Sequence, residues 1–352
     1  MKTKKKIAII GAGIFGCTLA IILSRNFNVT IFEKKNTILE GASKFNQLRF
    51  HNGYHYPRSQ ITVDEIKKSN KLFIKEYGKN IFGKTKNFYS ISKNKSKTSP
   101  KKYEKFLKKN KLYFQNYDNI EYFSKKIEKS YIVKEKNLNF FKIKKIILKK
   151  IKSSNIKIKL STEFKIEDYD NFDKIFIATY NENNNVLKNI NLIPKQRYKY
   201  ELVEKIIIKL PKKYKNLSFV VLDGNFVCVD PYVGTDYHLL SDVKLSKLEI
   251  LNSLHPHFKN KKKKFVNKFL KNKKISLFKK FIDNSSQYLP FLVDAKYIKS
   301  IYTIRTINNK SNYNDDRVTI LNKINSKVFT ILSGKWNTSV AISKNIKKNL
   351  YK

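Results

Sequence analysis

Near its amino end the chain reads IAIIGAGIFG over residues 7–16 and VTIFE over residues 29–33. Two apolar runs separated by a glycine-rich turn and a helix-length segment predict a strand–helix–strand unit. Gly11 allows the tight turn from strand to helix, Gly13 lets a pyrophosphate approach the backbone, and Gly16 lets the helix pack closely on the strand. This stretch decides the fold, because it predicts the first unit of a parallel sheet.

The second apolar run ends on an acidic residue, Glu33. A carboxylate at this position bonds the ribose hydroxyls of the adenosine half of a dinucleotide. The phosphates would lie at the helix N-terminus, where backbone N–H groups and the helix dipole favour an anion. The strand, glycines, helix and acidic residue together predict a dinucleotide-binding unit. A glycine-rich turn in some other strand–helix–strand unit is the alternative.

The composition is that of a large and strongly basic globular protein. The chain has 352 residues, 41% of them hydrophobic, and a formal charge of +48 from 75 basic and 27 acidic residues. Such a charge invites a nucleic-acid-binding interpretation. The basic residues, however, are almost all Lys and are spread along the whole chain among Asn, Ile, Phe and Tyr, as expected of an AT-rich genome. We therefore expect a solvated cationic surface without a specific nucleic-acid partner.

The chain has two cysteines, Cys17 and Cys228. They are too few for a disulfide framework or a cysteine-based metal site, so we expect a reducing, cytoplasmic location and no metal. The apolar segment that ends near Leu23 contains the glycine pattern, which favours a first strand and helix over a signal peptide. No other stretch reaches membrane-spanning length without charges, so no membrane span is expected.

Local patterns divide the remainder of the chain into two kinds of structure. Residues 41–59 form a polar and aromatic loop without a clean period, strand signals dominate between about 197 and 243, and residues 258–282 have the spacing of a cationic helix. We predict an α/β fold in which an interrupted Rossmann-type lobe carries an inserted α+β substrate lobe. The expected boundaries are 1–85, 130–195 and 300–352 for the first lobe, and 86–129 and 196–299 for the second.

The chain resembles the FAD-dependent oxidoreductases of the D-amino-acid oxidase superfamily, which includes glycine and sarcosine oxidases and glycerol-3-phosphate dehydrogenase. The resemblance is specific in four places: the fingerprint with Glu33, the loop from Gly41 to Arg58, the strand ending in Ala178-Thr179, and the segment around Gly334. It implies FAD as the cofactor. It also implies a fold in which the nucleotide-binding lobe is built from separated pieces.

The resemblance also implies which residues contact FAD. The family places a Gly-Ala-Ser turn, an Asn or Ser and a His-x-Gly beside the flavin, and a late glycine at the start of the last helix near the pyrimidine carbonyl. A strand that here contains Phe164 contacts adenine. The cofactor-binding residues expected on this basis are Gly11, Gly13, Ile14, Phe15, Gly16, Glu33, Lys34, Ala42, Ser43, Asn46, Gln47, Arg49, Phe164, Ala178, Thr179, Gly334, Lys335 and Trp336.

The chain departs from the family pattern in two places. Thr179 is followed by Tyr180 and Asn181, where many relatives have a glycine-rich turn. The loop segment 54–59 is more aromatic and more basic than in the amine oxidases, so the substrate of those enzymes does not carry over.

Two histidines in the loop are candidates for proton transfer. In such an enzyme the flavin accepts a hydride, and the substrate has a C–H bond next to an amine or a hydroxyl. His51 and His55 could accept the proton or orient the substrate, because imidazole changes protonation near neutral pH. The alternative for each is a loop histidine satisfied by hydrogen bonds.

Arginine is scarce in this Lys-rich chain, which has six, so those that remain are informative. The planar guanidinium binds a carboxylate or phosphate through two hydrogen bonds, which Lys cannot do. Arg49, Arg58, Arg305 and Arg317 are therefore candidates for holding an anionic substrate, and we favour Arg58 and Arg305. Structural salt bridges are the alternative, especially for Arg317, which follows Asp315 and Asp316.

These features predict an FAD-dependent oxidoreductase that acts on a small, anionic molecule. A flavin-dependent sugar-nucleotide enzyme, a nicotinamide-dependent dehydrogenase and a basic nucleic-acid-binding protein are the alternatives. The nicotinamide enzyme is disfavoured because it has no use for the loop from Gly41 to Arg58 or for Gly334. The sequence does not indicate the substrate, the electron acceptor, the oligomeric state or a covalent flavin link.

Overall fold

The computed structural model describes residues 4–118, 121–224, 227–309 and 316–351. In chain order the strands are β1 (Lys6–Ile10), β2 (Asn28–Phe32), β3 (Arg49–Phe50), β4 (Lys86–Ser92), β5 (Phe114–Asn116), β6 (Ile127–Val133), β7 (Lys136–Asn137), β8 (Lys157–Lys159), β9 (Lys174–Ile177), β10 (Tyr198–Lys209), β11 (Leu217–Leu222), β12 (Val227–Pro231), β13 (His238–Asp242), β14 (Lys247–Ser253), β15 (Phe269–Leu270), β16 (Lys296–Asn308), β17 (Ile320–Lys323) and β18 (Val328–Leu332). The helices are α1 (Ile14–Leu23), α2 (Gln60–Tyr77), α3 (Pro100–Lys109), α4 (Phe140–Lys152), α5 (Asn183–Asn189), α6 (Phe278–Ser285) and α7 (Ser339–Asn349). This mixture of helices and strands confirms the predicted α/β class.

The first sheet is built around β1. Among the described residues its six strands follow the order β17-β18-β9-β1-β2-β8, and all neighbouring pairs are parallel except β17 with β18. Ile7 and Ile9 face a core shared with α1, α4 and α7, whereas Ala8 and Ile10 face a core shared with α5. Because both faces are covered, β1 reads as a continuous apolar run rather than an alternating one.

The second sheet is mostly antiparallel. Its ten described strands follow the order β15-β16-β10-β13-β12-β11-β4-β6-β5, and β14 also pairs with β10. The long strands β10 and β16 pair along their whole length, from Tyr198 opposite Asn308 to Lys209 opposite Lys296. β6 and β16 both belong to this sheet, so the expected lobe boundaries at 130 and 300 fall inside strands.

The glycine turn after β1 depends on small residues at two positions. Gly11 has φ +98°, a left-handed conformation that favours glycine. A Cβ on Gly16 would lie 1.9 Å from the Gly11 carbonyl oxygen. The first turn of α1 therefore packs directly against the end of β1, at a distance that no other residue allows.

The prediction of a helix over residues 258–282 is wrong. The structure has a single 3-10 turn at Lys261–Phe265, the short strand β15, and then α6. The buried carboxylate of Glu204 accepts hydrogen bonds from Ser276 Oγ (2.7 Å) and from the backbone N of Leu277 (3.3 Å). These contacts hold the segment across the second sheet and override its helical spacing.

No helix in the described part of the chain is both long and apolar enough to cross a membrane.

Substitution of Gly16 tests the packing of α1 on β1. The G16A variant is expected to lose about 2–4 kcal/mol of unfolding free energy, because its methyl group forces the helix away from the Gly11 carbonyl. The G41A variant is the matched control, since a Cβ on Gly41 meets nothing within 4 Å. Urea unfolding followed by circular dichroism measures both, and equal losses in the two variants would contradict the packing argument.

Candidate active site

A cavity of about 860 Å³ lies where the carboxyl ends of the parallel strands meet the second sheet. One part, which we call the glycine side, is lined by Gly11, Gly13, Glu33 and Ala178. The other part, the cationic side, is lined by Lys205, Arg305, Arg317 and Lys335. The position agrees with the general rule that ligands of α/β sheets bind outside the carboxyl ends of the strands.

Most of the predicted site residues line this cavity, and two do not. Gly16 packs against Gly11 within the fold. The Arg58 guanidinium instead binds the buried carboxylate of Asp223. Its Nε donates to Oδ2 at 2.8 Å, and its Nη2 donates to Oδ1 at 3.2 Å. The predicted residues that line the cavity are Gly11, Gly13, Ile14, Phe15, Glu33, Lys34, Ala42, Ser43, Asn46, Gln47, Arg49, His51, His55, Phe164, Ala178, Thr179, Arg305, Gly334, Lys335 and Trp336.

The glycine side forms a cradle for an anion. Gly13, the N-cap of α1, supplies no side-chain cap, and the first turn of the helix holds no acidic residue. The Glu33 carboxylate is fixed at the end of β2 by the backbone N of Ala12 (2.7 Å) and of Lys35 (2.9 Å). At the N-terminus of α1 the backbone N of Ile14 donates to Ser43 Oγ (3.0 Å). This helix terminus beside a fixed carboxylate suits a pyrophosphate and an adjoining ribose. These residues therefore fit the dinucleotide part of FAD.

Two further predicted cofactor residues complete this side. Phe164 lies in the loop after β8 rather than in a strand, and its ring packs edge-on against Phe32 with centroids 4.9 Å apart. Gln47 Oε1 is buried without a hydrogen-bond partner among the described residues. An unsatisfied acceptor in the wall of a cavity is a position that a ligand donor can satisfy.

Arg49 lines the cavity, but its guanidinium is held in a buried network. It forms an ion pair with Asp230 and donates to Ser218 Oγ (3.0 Å) and to Tyr89 Oη (3.2 Å). Asn137 Nδ2 also donates to Asp230, at 3.0 Å. The network joins β3 to the second sheet. Arg49 therefore forms a structural salt bridge, which is the alternative that the sequence analysis gives for the arginines.

The two loop histidines lie together at the wall of the cavity. Their ring centroids are 5.4 Å apart, and the backbone oxygen of His51 accepts from Asn70 Nδ2 and Asn337 Nδ2, both at 3.0 Å. Burial and the nearby positive charges, including that of Lys335, lower the pKa of both His51 and His55 well below the usual value. Both imidazoles are therefore neutral at pH 7 and able to accept a proton.

Glu135 is a buried carboxyl group behind His51 that the sequence analysis missed. Its Oε1 accepts from the backbone N of Asn52 (2.8 Å) and lies 3.9 Å from His51 Nδ1. Burial raises the pKa of Glu135 to about 8, although the charge of Arg49 opposes the shift. No local signal marks this residue, because the Lys-Glu-Lys sequence around it is typical of a solvated turn.

The basic residues of the cationic side come from separate segments of the chain. Lys205 and Arg305 project from β10 and β16, and Glu201 is the acidic partner of Arg305, with Oε2 3.1 Å from Nη2. Burial and the Arg305 charge lower the pKa of Lys205 to about 7. The sequence analysis missed Lys205 among many lysines, although alternation along β10 places it on the same face as Glu201.

The segment of residues 316–319 forms another part of the cavity wall and is held by hydrogen bonds at the N-terminal end of α2. Asp316 Oδ1 accepts from Ser59 Oγ (2.5 Å), and the backbone N of Arg317 donates to Thr62 Oγ1 (3.0 Å). The backbone N of Thr319 donates to Glu65 Oε1 (3.1 Å). These contacts fix the backbone of Arg317, and with it the position of one wall of the cavity.

Gly334 supports the same wall. A Cβ on this residue would lie 2.6 Å from the carbonyl oxygen of Arg317. The last helix, α7, begins only at Ser339, after a 3-10 turn at Trp336–Thr338. The expectation that Gly334 starts this helix is therefore wrong, and its small size serves close packing with the segment 316–319.

Tyr180 replaces the glycine-rich turn of the family. It has φ +61°, the left-handed conformation that glycine adopts easily. Its hydroxyl accepts from the backbone N of Thr306 (2.9 Å) and donates to the Thr306 carbonyl (3.2 Å). The two hydrogen bonds join the turn after β9 to β16 and compensate for the backbone strain.

A family model matches the amino-terminal third of the chain. Residues 6–122 match a family model described as FAD dependent oxidoreductase (DAO). The match covers about a third of the chain. The match confirms the predicted resemblance and FAD as the cofactor of the family.

Curated relatives match over a short part of the chain. The FAD-dependent monooxygenase kojA of Aspergillus flavus is 37% identical over 76 residues, which are 21% of this chain and 18% of that protein. The FAD-dependent monooxygenase FPY4 of Fusarium mangiferae is 36% identical over 72 residues, 20% of each protein. The matches thus span about a fifth of the length of these relatives.

Solved structures share the whole fold. L-α-glycerophosphate oxidase from Mycoplasma pneumoniae, with FAD bound, has a TM-score of 0.74 at 16% identity and covers 100% of this chain and 96% of its own. L-proline dehydrogenase from P. horikoshii has a TM-score of 0.72 at 14% identity, with 99% and 95% covered. Glycine oxidase from Geobacillus kaustophilus has a TM-score of 0.70 at 13% identity, with 97% and 94% covered. The chain therefore shares its fold with these three enzymes.

Replacement of Glu135 by Gln tests the buried carboxyl group. The folded protein holds the Glu135 proton up to about pH 8, whereas the unfolded chain releases it near its ordinary value of 4.5, so stability is lost as the pH rises between these values. The E135Q variant cannot ionise. Its unfolding free energy relative to the wild type is expected to rise by at least about 2 kcal/mol between pH 5 and pH 9.

Glu104 provides the matched control. The hydrogen bond from Lys129 lowers the pKa of Glu104, so this carboxylate is ionised in both states above pH 5. The difference between E104Q and the wild type should stay flat from pH 5 to pH 9 in the same urea titrations. A flat difference for E135Q as well would show that Glu135 carries no buried proton.

Proposed function

We propose that this protein is an FAD-dependent oxidoreductase that oxidises a C–H bond next to an amine or a hydroxyl of a small anionic molecule. The observation that carries the proposal is a single cavity that joins a dinucleotide cradle to a wall of cationic side chains. The named substrates of the neighbouring structures support it, because glycine, proline and glycerophosphate each carry a carboxylate or a phosphate.

In this proposal the glycine side holds the cofactor. The N-terminus of α1 and the backbone of Gly11 and Gly13 bind the pyrophosphate, and Glu33 binds the ribose. FAD, when bound, supplies the acceptor for a hydride. The lobes predicted from the sequence are kept in the proposal: residues 1–85, 130–195 and 300–352 form the FAD-binding lobe, from which His51 and Arg305 also face the substrate, and residues 86–129 and 196–299 form the substrate lobe.

The protein's own residues orient the substrate and take its proton. Arg305 binds the anionic group through its guanidinium while it remains paired with Glu201. His51, neutral because of its burial, accepts the proton from the amine or hydroxyl, and His55 lies beside it. Arg58 has no part in this arrangement, since it is held by Asp223 outside the cavity.

Replacement of His51 tests the role of the imidazole. In H51N, FAD uptake should persist while the rate of flavin reduction falls at least about 100-fold, the usual contribution of a general base. H257N is the matched control, because His257 is exposed and lies outside the cavity lining. The measurement is anaerobic bleaching of the flavin by glycine, L-proline, glycerol 3-phosphate and 2-hydroxyglutarate in turn.

The alternatives predict different outcomes. A flavin that binds but is bleached by none of these amines and hydroxy acids would favour a sugar-nucleotide enzyme that uses reduced flavin without net oxidation. Tight, salt-sensitive binding of DNA or RNA without any uptake of FAD would favour the nucleic-acid-binding protein. Equal reduction rates in H51N and the wild type would remove His51 from the mechanism.

A further inference from the structure

We propose that the substrate carries a phosphate monoester, held by Lys205, Arg305, Arg317 and Lys335, four basic residues that line the same cavity. The inference rests on the proposed function and narrows its anionic substrate to a dianion. The arrangement of charge in the cavity, rather than the excess of Lys on the surface, carries it.

The four cations reach the cavity from independent parts of the chain. Lys205 and Arg305 belong to the paired strands β10 and β16 of the second sheet. Arg317 lies in the segment 316–319, which is held by Ser59, Thr62 and Glu65 as described above. Lys335 follows β18, and its Nζ lies 5.1 Å from the centre of the Tyr56 ring. Four basic side chains that line one cavity from separate segments of the chain can form an anion site.

Glu201 and Asp316 are carboxylates that line the cavity beside these basic residues. Glu201 is shared by Arg305 (3.1 Å) and by Lys247 (3.8 Å). Within the described ranges, neither Lys205 nor Lys335 forms an ion pair with a carboxylate. Burial lowers the pKa of Lys335 well below its usual range, and the positive charges of Arg317, Arg305 and Lys205 lower it further. A bound anion would favour the charged forms of Lys205 and Lys335.

A phosphate fits this space better than a single carboxylate does. A carboxylate has one negative charge and two oxygens in one plane, which a single guanidinium can satisfy. A phosphate monoester has about two negative charges near neutral pH and three terminal oxygens that point in different directions. It can therefore accept from several basic side chains at once, with the guanidinium of Arg305 and the ammonium of Lys205 on the same group.

The test is the binding of inorganic phosphate to the FAD-loaded protein, measured by titration calorimetry at constant ionic strength, with acetate as the monoanion. We expect phosphate to bind at least tenfold more tightly than acetate. K205M and R317M should each weaken phosphate binding tenfold or more, whereas K188M, at an exposed position of α5 outside the cavity lining, should not. Retained flavin absorbance and an unchanged melting temperature show that each variant is folded.

Proton uptake provides a second measurement on the same samples. Because the pKa of Lys205 lies at about 7 in the free site, a bound dianion should raise it and draw a proton from the buffer near pH 8. Calorimetry in buffers of different ionisation enthalpy measures this uptake, which should be absent in K205M. Absent uptake in the wild type would contradict the placement of phosphate beside Lys205.

The outcomes separate this inference from the proposed function. Equal affinities for acetate and phosphate, or phosphate binding that survives both K205M and R317M, would overturn the phosphate site and leave the oxidoreductase proposal in place. A protein that takes up no FAD would instead overturn the proposed function, whatever its affinity for phosphate.

Discussion

The contact between Gly16 and the carbonyl oxygen of Gly11 is the constraint on which the rest of the structure depends. It brings the first turn of α1 onto the end of β1, so that the helix N-terminus opens at the carboxyl edge of the first sheet. The adjacent parallel strands β2, β9 and β18 end at the same edge. Their following residues, Glu33, Thr179 and Lys335, consequently line one cavity. A dinucleotide cradle thus follows from close backbone packing rather than from any specialised side chain.

The second sheet completes the cavity, and side-chain hydrogen bonds join it to the first. The Tyr180 hydroxyl ties the turn after β9 to β16, and the network around Arg49 ties the loop to the second sheet. The N-terminus of α2 holds the backbone of Arg317. The charges of the site are consequently fixed in the fold and need no rearrangement to meet an anion, which is the preorganisation that catalysis in a low-dielectric site requires.

The parts of the fold that depend on neighbouring residues could be predicted from the sequence. The fingerprint at Gly11, Gly13 and Gly16 and the long strand from Tyr198 to Lys209 both depend on spacing within one segment, and the structure has the unit and the strand where spacing predicted them. The structure of the segment 258–282 could not be predicted in this way. Glu204, which is distant in the sequence, binds the segment and prevents it from forming the predicted helix. Local pattern cannot show such a contact.

The same distinction applies to the site. The loop residues His51 and His55 could be chosen from the sequence because they stand in a rare polar and aromatic segment. Arg58 is a candidate because arginine is scarce in this Lys-rich chain, but its partner Asp223 lies far away in the chain and holds it outside the cavity. Lys205 and Glu135 were missed because surrounding lysines hide them, and only the pairing of strands shows that both are held inside the protein.

The most direct test of a dinucleotide cradle in this cavity is the visible absorbance spectrum of the purified protein, taken after incubation with FAD and removal of the unbound cofactor, and again after acid precipitation. Flavin bands that accompany the native protein are the predicted result; bands that remain in the acid pellet would add a covalent link. A colourless protein that cannot take up FAD would contradict the assignment of the cavity.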